Sequence, residues 1–421
     1  MSFGKKFWVP MLIGFGIFLG VLLPQTREYR YFEDDFQSFV QIREMPGRLL
    51  TPWISERSGR RHPFYLYLIF FERELFGAQT LPPFAVLFAL HFVSALLVGI
   101  FSRKLGASER QAAVAGLFFL CSSAFYQALI ILSSADSGLC FVFFMLATLA
   151  WIDFLKTGSL PVLFKAGLFQ TLAFFSAEDI VSFPLLALFL AWRLTPKGKN
   201  LQPLLAKGMM VLLPFYFAGA AFILLDFFIS PRSSEWIDPG KAALFGVKII
   251  NLVKTALTST FLPARGLLAG AASADSWLRL LPAGMLLALL TVFFFGRKPG
   301  AFRPEEGERR ALVTALGFGF ITALPYMLHP LLFEHTTRYL YFPMAGFSAL
   351  FSIAARKIYK EGGTASAWRR FVFPFLFAGV LLLNLFNNAY HFRRYKNNAL
   401  HPPDAHLLDH TERVKNLLRG A

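Results

Sequence analysis

The feature that most constrains this chain is a succession of apolar runs, each near the length of a membrane crossing, joined by basic connectors. The first, Phe7 to Leu23, follows Lys5-Lys6 and ends at Pro24. Others cover 82–101, 111–132, 138–155, 160–176, 180–194, 207–229, 277–296, 311–332, 339–355 and 371–390. A bilayer's hydrocarbon core is about 30 Å thick and takes about 20 apolar residues of helix to cross. Backbone polar groups in lipid must be satisfied within the segment, which favours helices over open strands. The runs therefore predict an all-α polytopic membrane protein of about 11 spans.

Composition excludes the alternatives. Charged residues are 16% of the 421, hydrophobic residues 56%, and Phe alone numbers 51. A soluble domain carries about 25% charge. A soluble enzyme, a disordered chain and a disulfide-stapled secreted domain are all excluded. The first run is not followed by a small-residue cleavage site, so it reads as a retained span rather than a signal peptide. Cys121 and Cys140 flank the turn near Asp136, and their depths differ by roughly 15 Å at helical rise, too far for a disulfide.

Lys and Arg number 42 against 25 Asp and Glu, a net charge of +17. The excess gathers in alternate connectors: Arg103-Lys104 with Arg110, Lys156, Lys197 with Lys199 and Lys207, Arg297-Lys298 with Arg309-Arg310, and Arg356-Lys357 with Arg369-Arg370. Cytoplasmic loops are basic in this way, and anionic headgroups take up the remainder. Membrane lipids are thus the expected partners and nucleic acid is not. The N-terminus is expected in the cytoplasm. An odd number of spans puts the tail outside, although Arg393, Arg394 and Lys396 make that tail basic. Residues 1–392 form one transmembrane domain, with long outer loops at 24–81 and 230–276, and 393–421 form a short external tail. Within the loops, Pro63 to Phe71, followed by Glu72-Arg73-Glu74, is too short to span and reads as an interfacial helix. The stretch 241–261, with Lys248 and Lys254, reads the same way.

Polar residues collect at the outer ends. Glu33-Asp34-Asp35 follows the first span, Asp136 ends the third and Glu178-Asp179 ends the fifth. Glu334, His335 and Arg338 end the ninth. Ionisable groups at such edges line cavities. The triplet sits among Tyr29, Tyr31, Phe32, Phe36 and Phe39. Three adjacent carboxylates repel one another, and four roles are open to them: general base, metal ligand, cation-binding mouth, or N-cap of a following helix. No cofactor follows from these residues alone; a metal-ligand role would bring in a divalent metal ion. Arg57, Arg60, Arg61 and His62 precede the interfacial helix, and the cluster suits either a phosphate ligand or headgroup anchoring. No second His lies at helical spacing from His62, so it makes no metal site alone. His91 reads as a buried hydrogen-bonding group. There is no phosphate-cradling glycine loop, nucleophile elbow or zinc-protease helix.

Five patterns, in order, resemble the GT-C superfamily of integral-membrane glycosyltransferases, in its protein O-mannosyltransferase-like branch. They are the acids Glu33-Asp34-Asp35; Arg61-His62-Pro63 leading through Leu75-Phe76-Gly77; His91-Phe92-Val93; Ser176 to Pro184; and Arg338-Tyr339-Leu340-Tyr341-Phe342-Pro343. The likeness extends to about residue 392. It implies a GT-C-like bundle with outer-face interfacial helices in a bacterial inner membrane, its active site on the periplasmic face. It implies a polyprenyl-phosphate sugar donor, a protein or glycan acceptor, and a first-loop Asp that acts as base or orients a metal. On that reading Asp34 or Asp35, with Glu33, is catalytic. Arg60, Arg61, His62, Asp136, Glu178, Asp179, Glu334, His335, Arg338, Tyr339 and Tyr341 bind substrate. Ala177 stands where the family has Lys, Ser134-Ala135 precede an acid where it has Arg, and Thr337 stands where it has an acid. These departures keep a catalytically degenerate structural subunit open as a rival. A lipid or anion transporter is another, for which Pro214 and Pro325 would break spans and Asp226 would carry charge.

Overall fold

The computed structural model describes residues 3–28, 63–77, 79, 81–124, 126–195, 201–229, 306–328, 340–360 and 367–396. Among these residues the chain is all-helical, with no strand. The helices are α1 (Lys5–Leu22), α2 (Pro63–Phe76), α3 (Leu81–Lys104), α4 (Glu109–Cys121), α5 (Gln127–Ile130) and α6 (Ala135–Thr157). They continue with α7 (Leu160–Phe174), α8 (Phe183–Leu194), α9 (Leu201–Ile229), α10 (Glu306–Leu328), α11 (Tyr341–Lys360) and α12 (Ala367–Lys396). Among the described residues, four segments are long and apolar enough to cross a membrane: Lys5–Thr26, Leu81–Lys104, Ala135–Thr157 and Pro374–Arg393. The expected span at 277–296 and the interfacial stretch at 241–261 lie outside the described residues.

Most expected runs become helices with ends set by local chemistry. Ser108 accepts from Gln111 N while Gln111 Oε1 accepts from Ser108 N, a capping box that starts α4. Gly158, at φ 70°, ends α6 in the left-handed conformation that a side chain resists. Pro161 and Pro184 sit in the first turns of α7 and α8, where no intrahelical N–H is lost.

The run 111–132 is not one helix. α4 stops at Cys121, because Ser122 turns extended at ψ 133°. The chain then passes through Ser123 and Ala124 into the single turn of α5, a 3₁₀ turn at Leu132–Ser134, and the start of α6. Serines interrupt the apolar pattern here, and their hydroxyls compete for backbone partners: Ser122 Oγ accepts from Ala124 N at 3.2 Å.

Antiparallel hairpins build the bundle: α3 with α4, α6 with α7, and α10 with α11. α1 lies on α4, and α11 packs against both α3 and α4. α10 and α11 touch backbone to backbone. A methyl group on Gly346 would lie 2.5 Å from both the Ala315 carbonyl oxygen and the Gly319 nitrogen. Small residues at helix crossings provide the contact area that apolarity cannot supply in lipid.

Polar links between helices define one end of the bundle. Lys104 pairs with Asp153, Lys207 Nζ donates to Gly158 O at 3.1 Å, and Gly4 N donates to Glu109 Oε1 at 3.3 Å. This is the end where Arg103, Lys104 and Lys156 lie, as the connector charges led one to expect of a shared face. At the far end, Arg393 Nε donates to Gln25 Oε1 at 3.1 Å, joining the ends of α1 and α12. Cys121 and Cys140 are both free and buried.

Candidate functional site

The far end gathers the chain segments next to most of the expected site residues. α6 is its axis. Asp136 lies in the first turn of α6, half-buried, and its Oδ1 accepts from Ser137 N. The positive end of the helix dipole favours an acid there, so Asp136 has a structural role whatever its chemistry. One turn on, Cys140 Sγ donates to Ala177 O at 3.7 Å. That contact fixes the 3₁₀ turn Glu178–Ser182, whose backbone carries Glu178 and Asp179, beside the start of α6.

Two more segments arrive at the same place. Phe64 N donates to Phe175 O at 3.2 Å, and their rings lie 5.9 Å apart. α2 therefore begins, immediately after His62, against the segment leading to Glu178. Tyr341 and Phe342 start α11 two and three residues after Tyr339, and both pack edge-on against Phe141 of α6, at 5.0 and 5.1 Å. Leu340 is fully buried there. Sequence segments from four parts of the chain thus meet around the first two turns of α6.

Glu33, Asp34, Asp35, Arg60, Arg61, His62, Glu334, His335, Arg338 and Tyr339 lie outside the described residues. Tyr341 is buried. Its hydroxyl donates to His91 Nδ1 at 2.8 Å, and His91 Nε2 donates to the Leu120 carbonyl at 2.9 Å. A carbonyl can only accept, so Nε2 carries the proton and Nδ1 is left to accept from the phenol. Both ring nitrogens of a neutral His91 are satisfied. The interior role read for His91 fits this pairing, and Tyr341 holds α11 to α3 as well as flanking the site.

Two features escaped the sequence reading. The first is Glu72 on α2. Tyr65, Leu66 and Ile69 form the buried stripe of that helix, and Glu72 continues it one turn past Ile69. Burial pushes its carboxyl up to about 7, which suits proton exchange near neutral pH. Its helical spacing from Ile69 was the available signal. The second is a polar seam on α12. Asn384, Asn387, Asn388 and His391 recur at helical spacing and form one stripe. Asn384 Oδ1 accepts from Ser123 N at 2.9 Å and Ser123 Oγ at 2.8 Å. Asn388 Nδ2 donates to the Cys121 and Ser122 carbonyls, both at 3.4 Å. His391 stacks on Tyr126 with ring centroids 3.8 Å apart. The stripe runs along the break after α4 and holds it.

Among the described residues, no group of three or more His, Cys, Asp or Glu side chains is placed to hold a metal ion. No protein-family model matches this chain, and no curated protein matches it.

Proposed function

We propose that this protein is a membrane glycosyltransferase that moves a sugar from a polyprenyl-phosphate donor to a protein or glycan acceptor at the end of the bundle around Asp136. One observation carries the reading. The chain segments bearing Asp136, Glu178-Asp179, the entry to α2 after Arg60-Arg61-His62, and the entry to α11 after Arg338-Tyr339 all converge on the first turns of α6. A lipid-linked sugar presents its reacting carbon at the membrane edge, which is where such a convergence is useful. In this scheme Asp34 or Asp35 takes the proton from the acceptor hydroxyl as it attacks the anomeric carbon. The bond from that carbon to phosphate oxygen breaks, and an Arg among Arg60, Arg61 and Arg338 stabilises the departing phosphate. A single displacement inverts the anomeric centre. Eleven spans, with the N-terminus cytoplasmic and this end outside, complete the proposal.

The test supplies membranes containing the protein with a polyprenyl-phosphate sugar and follows transfer. Asp34→Asn or Asp35→Asn should lower the rate about 10²–10⁴-fold, the usual cost of a lost general base, and leave the unfolding midpoint unchanged. Wild-type rates in both variants would remove the catalytic reading. A transporter is the second reading, favoured by the interrupted stretch between α4 and α6, since broken helices are how many transporters build their sites. Substrate uptake into vesicles without sugar transfer would select it.

A further inference from the structure

The seam between α12 and the break after α4 is not used by either reading, and it is unusual in its polar accounting. Asn387 Oδ1 and Asn388 Oδ1 are buried and have no hydrogen-bond partner among the described residues. Their residues are 4% and 0% exposed. The amide orientation of Asn388 is fixed by its neighbours, because only Nδ2 can face the carbonyls of Cys121 and Ser122. Its oxygen is therefore held beside the break with no donor opposite it. Asn387, next to it on the same stripe, carries a second buried oxygen with no hydrogen-bond partner among the described residues.

The groups that face the Asn388 amide are the Cys121 and Ser122 carbonyls, both acceptors. α4 is 13 residues long and ends here, so its C-terminal carbonyls add the negative end of a helix dipole. The Leu120 carbonyl is taken by His91. Among the described residues, those of Cys121 and Ser122 receive only the long contacts from Asn388. Buried acceptors without donors cost free energy, and irregular backbone at membrane depth is tolerated where it is enclosed by protein or lines a cavity. Cys121, Ser122, Asn387 and Asn388 supply neutral oxygens without a carboxylate. Such a set suits a monovalent cation, because divalent calcium and magnesium sites draw on carboxylates. Unwound carbonyls and half-helix C-termini coordinate sodium in membrane transporters.

We propose that this seam is a sodium-binding site, with Asn387 Oδ1, Asn388 Oδ1 and the Cys121 and Ser122 carbonyls as ligands. The Cys121 carbonyl directly follows the Leu120 carbonyl that His91 holds, so a bound ion would fix the break relative to α12. The proposal stands apart from glycosyl transfer, and its test contains no sugar donor, so failure of one leaves the other intact.

Purified full-length protein is titrated with radioactive sodium, and its unfolding midpoint is followed in sodium, potassium and choline chloride at equal ionic strength. Saturable sodium binding and a higher midpoint in sodium than in choline or potassium are expected. Asn387→Leu should weaken binding about tenfold or more, the cost of removing one buried polar partner, and should be at least as stable as wild type in choline. Asn387→Asp keeps an oxygen in place, adds charge, and should bind sodium more tightly. It also serves as the control if the Leu variant does not fold. Equal midpoints in all three salts, absence of saturable binding, or undiminished binding in Asn387→Leu would overturn the site.

Discussion

Two polar clusters share the last turn of α4 and solve the same problem differently. At Leu120 the carbonyl receives His91 Nε2 at 2.9 Å, and His91 in turn accepts from Tyr341 at 2.8 Å. At Cys121, the next residue, the carbonyl receives among the described residues only Asn388 at 3.4 Å, and the Asn388 oxygen is left over. The first cluster closes and ties α3, α4 and α11 into one unit. The second holds the broken chain without closing. The difference follows from side-chain chemistry. Imidazole offers one donor and one acceptor, which matches a carbonyl on one side and a phenol on the other. An amide set against carbonyls can spend only its donors. A polar group inside the bundle therefore marks either a fastening or an unfinished site, and the leftover atoms distinguish the two.

The largest expected effect breaks the closed side. Tyr341 reaches His91 only because α11 is seated against α10 and α3, and Gly346 sets that seating. In Gly346→Ala the new methyl group meets backbone atoms 2.5 Å away, which cannot rotate aside as a side chain would. The helices must separate, and the loss should exceed about 3 kcal/mol, above the usual range for overpacking. Gly20→Ala on α1 is the control, because nothing lies within 4 Å of its new methyl group. The unfolding midpoint in mild detergent measures both. Equal midpoints would mean that α10 and α11 do not pack at Gly346.

A smaller effect sharpens the contrast between the clusters. His91→Leu orphans one buried group, the Leu120 carbonyl, because the Tyr341 hydroxyl keeps Ser94 as a partner, and should cost about 1–3 kcal/mol, the range for one buried group left unsatisfied. Tyr341→Phe removes the phenol from His91 Nδ1 but leaves the Leu120 bond in place, and should cost less. In choline, Asn387→Leu should cost nothing, because it removes an acceptor that had no donor. If His91→Leu proves as harmless as Asn387→Leu, the closed cluster is no more of a fastening than the open one.

The difference between the clusters also shows what the sequence made legible. The helical class followed directly from the length of the apolar runs, and Arg103, Lys104 and Lys156 share the end that their connectors' charge suggested. His91 could be read as an interior group because a lone His in an apolar run has few other uses. The break after Cys121 was not readable. Ser122 and Ser123 are compatible with a continuous apolar helix, and only their contacts with Asn384 and Asn388, more than 260 residues later, show why the chain unwinds. Periodicity registers one segment at a time, whereas the break depends on a partner from the far end of the chain. Asp136 was singled out by its predicted depth, and it lies in the first turn of α6. The role of Tyr341 depends on where α11 packs, so its motif could suggest a site but not the bond to His91.

The smallest expected effect concerns α2, which docks on the bundle through Tyr65, Leu66 and Ile69 and carries Glu72 at the edge of that contact. Burial raises the Glu72 carboxyl from 4.5 to about 7. Between those two values the docked helix holds a proton that the undocked helix releases. Docking is then strongest below about pH 4.5, weakens as the pH rises to about 7, and changes little above that. Hydrogen exchange of the α2 amides, corrected for the intrinsic pH dependence of exchange, reads this directly. Protection in α2 should fall between pH 5 and pH 8, while the turn of α3 around His91 keeps its protection. Glu72→Gln cannot ionise and should flatten the α2 profile at its low-pH level. A profile that falls equally in Glu72→Gln would move the pH sensitivity away from α2 and leave Glu72 as a surface carboxylate beside an apolar stripe.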